Sequence, residues 1–227
     1  MHTISVTLFD LDGTLCRNDQ DVATIYASAF EVAGVAPFGE PTDLWQALPG
    51  PPDPNDEVGY LAGGFAAVAA KYGRAEIDAT ALARGFVETV DLTAVSFHPG
   101  ATEALGDARA HGQVGLVTNG PSRRQAVKVE ALGLTDAFDV IVYAGDMPRR
   151  KPHRDPFDRA LAALDVAPDA ALHVGDSLEY DVVGAQQAGL LAAWYPRAEN
   201  PDTKGYDPDY ILSHLGSLGA ILADADH

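Results

Sequence analysis

Apolar positions along this chain follow two periodicities, and the change from one to the other divides it. The opening segment Ser5-Val-Thr-Leu-Phe-Asp-Leu-Asp-Gly-Thr-Leu15 is a short run of β-formers closed by Asp10, Asp12, Gly13 and Thr14. That pattern predicts a buried strand that delivers polar groups at its C-terminal end. From Asp19 to Ala33 the apolar residues Val22, Ile25, Tyr26, Ala29 and Phe30 recur at helical spacing, and Gly34 ends the run. Residues 37–56, rich in Pro, Gly and Asp, predict a long irregular loop. Two further helices are predicted over Glu57 to Tyr72 and Asp78 to Val90, so residues 16–96 read as an all-helical insert.

From Phe97 onward strand and helix patterns alternate. Strands are predicted at 114–118, 139–144, 171–175 and 190–195, with a short last one near Tyr210. Helices fall between them at 101–111, 123–132, 156–164 and 181–188. This alternation implies βαβ units, an α/β Rossmann-like parallel sheet with helices on both faces, in a core built from 1–15 and 97–227. In such a sheet ligands sit beyond the carboxyl ends of the strands. Asp10, Asp12, Thr118, Asn119 and Asp176 all fall at predicted strand ends.

Asp10 and Asp12 are two residues apart, so on an extended backbone their side chains leave one face. Two carboxylates about 4 Å apart repel by about 4 kcal/mol even at an effective dielectric of 20, which calls for a cation nearby. Three later segments supply groups of complementary chemistry: Thr118-Asn119-Gly120, Lys151-Pro152, and Gly175-Asp176-Ser-Leu-Glu-Tyr-Asp181.

With these four motifs in order, the chain resembles the haloacid dehalogenase-like hydrolase superfamily, in its phosphatase form with a helical cap after the first motif. The resemblance implies that Asp10 attacks phosphorus to form an aspartyl-phosphate, and that Asp12 protonates the leaving group and then activates water. It implies that Thr118, with the amides of Asn119 and Gly120, binds the phosphoryl oxygens, and that Lys151 neutralises charge on nucleophile and substrate. Mg²⁺ is the implied cofactor, held by Asp10, the backbone carbonyl of Asp12, and Asp176. Asp181 stands behind them, orienting Lys151 or a metal-bound water. Thr14 is expected to cap the turn, and Cys16 to be a small buried hydrophobe. The fourth motif departs from the usual pattern at Tyr180, where relatives often carry Asn.

The implied substrate is a small phosphorylated metabolite, and the implied reaction hydrolysis of a phosphomonoester. A phosphomutase would use the same four motifs. A 2-haloacid dehalogenase needs no proton on its leaving group and dispenses with the second aspartate, so Asp12 argues against it. A phosphonate hydrolase would need a cap lysine, for which Lys71 is the sole candidate. A non-catalytic binding protein commonly lacks a reacting group, and here none is missing.

Composition narrows the setting. The 227 residues suit one core with a smaller insert, and a single cysteine excludes an intramolecular disulfide framework. No basic stretch followed by a long apolar run opens the chain, so a cytoplasmic protein without a signal peptide or membrane span is expected. The net charge of −18 arises from 24 Asp and 9 Glu against 11 Arg and 4 Lys. It disfavours nucleic acid and anionic membranes as partners, because both select basic patches. Self-repulsion of this size is relieved by salt, which predicts a halophilic source with a salty cytoplasm. Thermal melting in rising KCl checks this: the melting temperature is expected to climb from low to molar salt, and an unchanged value counts against salt adaptation.

Overall fold

The computed structural model describes residues 3–49, 56–197 and 202–225. The chain forms two compact units, Met1–Asn18 with Val95–His227, and Asp19–Ala94. In the second unit, α1 (Val22–Ala33), α2 (Pro41–Ala47), α3 (Glu57–Lys71) and α4 (Ala79–Thr89) surround Phe30, Phe65 and Leu82, all fully buried. The edge-to-face contacts of Phe30 with Tyr26 and Phe38 fill this small core with aromatic surface. The acidic bias is put to local use here. Asp21, Asp56 and Asp78 cap α1, α3 and α4, each carboxylate accepting from a backbone N–H of the first turn.

Helix α2 corrects the expectation of an irregular loop over 37–56. Pro41 occupies the first turn, where its missing N–H costs nothing, and Glu40 and Asp43 form a reciprocal capping box. Leu44 is buried, and Asp43 is also held by Lys71 (2.5 Å) and the Tyr72 hydroxyl (2.8 Å). Proline density signalled a break, but the caps and one buried leucine suffice for two helical turns. The stretch 50–55 lies outside the described residues.

The first unit carries a six-stranded parallel sheet. Its strands are β1 (Val6–Phe9), β4 (Gln113–Thr118), β5 (Val140–Tyr143), β6 (Ala171–Gly175), β7 (Leu191–Trp194) and β8 (Tyr210–Ile211), in the order β5-β4-β1-β6-β7-β8. A separate antiparallel ribbon pairs β2 (Cys16–Asn18) with β3 (Val95–Phe97). This ribbon was not legible in the sequence, because three residues per strand are too few to show a period. Helices α5 (Ala101–His111), α6 (Ser122–Ala131), α7 (Asp155–Leu164), α8 (Gly184–Ala188) and α9 (Leu218–Ala225) complete the unit.

Strand β1 is central and buried on both faces. Val6 and Leu8 pack with Phe157 of α7 and Val182, whereas Phe9 and Leu11 join Ala104 of α5 and Leu218 of α9. This explains the near-continuous apolar run. The chain goes from β1 to β4 and β5 on one side, then returns to β6, β7 and β8 on the other. That reversal leaves a crevice at the carboxyl end of β1. Phe9 lies in register with Leu116 of β4 and Val174 of β6, so the ends of three adjacent strands present Asp10, Thr118 and Asp176 together.

The predicted helix 181–188 begins earlier and is wider. Residues Leu178–Val183 form a π-type turn in which the Val182 amide donates to the Ser177 carbonyl (3.1 Å), before α8 continues. Truncating the central strand tests its weight. Leu8→Ala is expected to cost about 3 kcal/mol of unfolding free energy, read from urea denaturation.

Candidate active site

The crevice is a cavity of about 300 Å³ whose walls include Asp10, Asp12, Thr118, Lys151, Asp176 and Tyr180. At its base Lys151 is almost fully buried, and its ammonium donates to Asp10 Oδ1 (2.7 Å), Asp181 Oδ1 (2.6 Å) and the Val117 carbonyl (2.9 Å). All three ammonium protons are thereby used. The backbone of Lys151 is fixed as well: Asn119 accepts from its N–H (2.9 Å) and donates to its carbonyl (3.0 Å). Asn119 thus fastens the lysine segment to the end of β4 through its side chain, a role the motif alone did not suggest.

Asp181 is held from several sides. His173 of β6 meets its Oδ1 at 2.9 Å, and the Ser177 amide donates to Oδ2 at 3.0 Å. Gly175 passes so close that a Cβ there would stand 2.2 Å from the Asp181 carboxyl carbon. Gly13 serves similarly at the first turn: its φ is +85°, and a Cβ would lie 2.6 Å from Asp176 Oδ2. Asp176 is paired with the exposed Arg197 at 3.1 Å, and its carbonyl accepts from the Trp194 indole (2.8 Å).

The electrostatics follow from burying more negative than positive charge. Burial, with Asp181 and Asp176 as anionic neighbours, pushes Asp10 up to about 8 even though Lys151 opposes the shift. Burial and the Asp181 charge push Asp176 up to about 6. Burial would also raise Asp181, but Lys151 and the His173 hydrogen bond outweigh it and hold that carboxyl well below its usual range. Lys151 goes the other way: burial would lower it, and the two carboxylates raise it instead. Burial lowers His173, so its neutral ring donates from Nε2 to Asp181.

Oxygen atoms of Asp10, Asp176 and Asp181 lie within 4.8 Å of one another. A donor set made only of carboxylates suits a hard divalent cation, and the raised Asp10 and Asp176 mark negative charge that such an ion would neutralise.

Asp12 points elsewhere. Its carboxylate receives Lys128 Nζ at Oδ1 (2.6 Å) and Gln125 Nε2 at Oδ2 (2.7 Å), both from α6. Gln125 Nε2 also donates to the buried Thr118 hydroxyl (2.7 Å), toward which the Gly120 amide points at 3.5 Å. Lys128 was missed in the sequence, where its place inside a polar helix reads as a solvated face. Thr14 is buried with no hydrogen-bond partner for its hydroxyl, so its side chain does not cap the turn as expected. The turn is closed by backbone bonds instead, Cys16 N–H to the Leu11 carbonyl (2.9 Å) and Gly13 N–H to the Cys16 carbonyl (2.8 Å). Cys16 is buried and its thiol is pushed up to about 12 by burial and by Asp12, which agrees with an inert role. Tyr180 borders the cavity, and its backbone N–H donates to Ser177 Oγ (3.1 Å).

The family model for haloacid dehalogenase-like hydrolases matches residues 4–189. The chain belongs to that family. It is 33% identical to a phosphoglycolate phosphatase of Cereibacter sphaeroides over 212 residues, 92% of this chain and 90% of that protein. It is 35% identical to the pyrimidine 5'-nucleotidase YjjG of Escherichia coli over 126 residues, 55% of this chain and 56% of that one. The chain spans about half the length of that relative and of the phosphoserine phosphatase and pyrophosphatase relatives. Among solved structures, a predicted phosphoglycolate phosphatase from Haemophilus somnus superposes with a TM-score of 0.75 at 22% identity, covering 97% of this chain and 99% of that one. YfnB of Bacillus subtilis, bound to magnesium, superposes at 0.73 with 24% identity, covering 97% and 99%. These two likenesses speak for the fold.

The raised carboxyls dictate a pH dependence of stability in the presence of a chelator. An acid whose folded value lies above its unfolded 3.8 binds its proton more tightly when folded, so stability falls as pH rises from about 4 through 6 and 8. Asp181, lowered on folding, stabilises across that whole range and loses its effect only in stronger acid. The melting temperature with EDTA is therefore expected to drop between pH 5 and pH 8 in part through Asp10 and Asp176. An Asp176→Asn variant should show a shallower drop, and an identical profile would contradict the assignment.

Proposed function

We propose that the protein is a Mg²⁺-dependent phosphatase that hydrolyses a small phosphomonoester through an aspartyl-phosphate on Asp10. The observation that carries this reading is the buried Lys151 ammonium held between Asp10 and Asp181 at the base of a cavity that Thr118 also lines. Lys151 keeps one oxygen of Asp10 in place, leaving the other for in-line attack on phosphorus. Its charge together with that of a bound cation opposes the burial that favours the protonated form, so the nucleophile would be ionised when the site is loaded. The Thr118 hydroxyl and the Asn119 and Gly120 amides receive phosphoryl oxygens. Asp12 gives a proton to the departing oxygen and later accepts one from the water that cleaves the acyl-phosphate. Asp181 and His173 fix the lysine, so positive charge stands where negative charge accumulates.

Asp10, the Asp12 carbonyl and Asp176 would hold Mg²⁺, with Asp181 behind them. When bound, the ion supplies positive charge against the phosphoryl oxygens and the attacking carboxylate. Phosphatase-named relatives and the all-carboxylate donor set support this choice of chemistry. In this reading the helical unit is the cap, and choice of leaving group among small phosphorylated metabolites belongs to it. The presence of Asp12 disfavours a 2-haloacid dehalogenase, although one solved relative bears that name at 27% identity.

The test is turnover of an aryl phosphate and of a panel of metabolite phosphates in KCl with Mg²⁺. Activity is expected to vanish with EDTA and in Asp10→Asn, whose fold should persist because Lys151 keeps Asp181. Asp12→Ala is expected to lose about 10²- to 10⁴-fold, most with poor leaving groups. Undiminished turnover by Asp10→Asn would reject the nucleophile.

A further inference from the structure

Two buried polar side chains near the cavity have no part in the four motifs. Gln125 and Lys128 lie three residues apart on α6, hence on one face, and are 2% and 8% exposed. Burying an ammonium is costly unless it is paired, and Lys128 is paired with Asp12 at 2.6 Å. Gln125 covers the other carboxylate oxygen. Its Nε2 also donates to Thr118 Oγ1, so one amide ties the Asp12 side chain to the hydroxyl at the end of β4.

We infer that Gln125 and Lys128 form a clamp that sets the Asp12 carboxylate relative to the Thr118 hydroxyl, and that Lys128 is the positioning residue for both proton transfers. The inference rests on the role given to Asp12 under the proposed function. Asp12 is about half exposed and would otherwise sample several rotamers. Held by two donors from one rigid helix, its carboxylate is fixed beside the group that fixes the phosphate.

The chemistry explains why a cation is placed there. When Asp10 attacks, the bond from Asp10 oxygen to phosphorus forms and the ester bond to phosphorus breaks. The departing oxygen keeps the electron pair and takes the Asp12 proton, and the charge left on Asp12 faces Lys128. In the second step water oxygen bonds to phosphorus, its proton passes to Asp12, and Asp10 leaves as a carboxylate with inorganic phosphate released. Lys128 balances the anion that ends the first step and begins the second. Water screens this charge less than that of a surface lysine, because Lys128 is buried even though Asp12 is half exposed.

Lys128→Met and Lys128→Arg, compared on an alkyl phosphate and on para-nitrophenyl phosphate, test this. Lys128→Met is expected to lose about 10- to 100-fold in kcat on the alkyl ester with little change in KM. On the nitrophenyl ester the leaving group needs no proton. The variant should then release a rapid burst of nitrophenolate followed by slow turnover, because water activation still depends on Asp12. Lys128→Arg should restore most of the rate. In an Asp12→Ala background, Lys128→Met should add no further loss. Equal losses on both esters without a burst, or additive losses in the double variant, would overturn the clamp. If Lys128→Met melts early, Gln125→Ala, which removes an uncharged partner, is read by the same burst and double-variant criteria. A wild-type protein inactive on every ester would defeat the phosphatase reading itself, and an active one with unimpaired Lys128→Met would defeat only the clamp.

Discussion

One buried ammonium between two buried carboxylates governs this protein. Lys151 spends its three protons on Asp10, Asp181 and the Val117 carbonyl, and the arrangement still leaves one negative charge in excess before Asp176 is counted. Such a cluster is a poor source of stability, because desolvation offsets much of the attraction. It is held because neighbouring elements determine it from several directions. Asn119 grips the lysine backbone, His173 and the Ser177 amide grip Asp181, and the parallel register of β1 with β4 and β6 brings the strand ends together.

The excess charge links fold to chemistry. Asp10 and Asp176 are raised because burial and each other's neighbours disfavour a further anion, so the site is unbalanced until positive charge arrives. A chain of net charge −18 has little long-range attraction to offer a phosphate ester. In the proposed reading its attraction is local, built from Lys151, backbone amides and the divalent cation. The same logic accounts for Lys128, a second buried lysine among only four in the chain, placed against a carboxylate of the site that Lys151 does not reach.

Aspartate is used in two ways that composition alone merges. In the helical unit it caps α1, α3 and α4, where a short carboxylate reaches the free amides of the first turn. In the α/β unit Asp10, Asp12, Asp176 and Asp181 stand at or just beyond strand ends, where the sheet supplies rigidity and the crevice leaves room for a ligand. Asp139, accepting from the Val114 amide and from Arg109, shows a third use, bracing β4 against the start of β5.

The sequence by itself determined the parallel α/β core and the order of its motifs, because a strand buried on both faces and a helix with one apolar face write their periods directly into the residues. It also determined the chemical types at the strand ends, since those groups sit at fixed chain distances from the apolar runs. Tertiary structure alone decided which groups meet. The two arms of the clamp on Asp12 are 113 and 116 residues away from it, and a buried lysine on a polar helix has the same local pattern as a solvated one. The short ribbon β2–β3 and the helix α2 were decided there too, because one buried side chain in each, Cys16 and Leu44, with strand pairing in the first and a capping box in the second, stabilises elements too brief to leave a repeat.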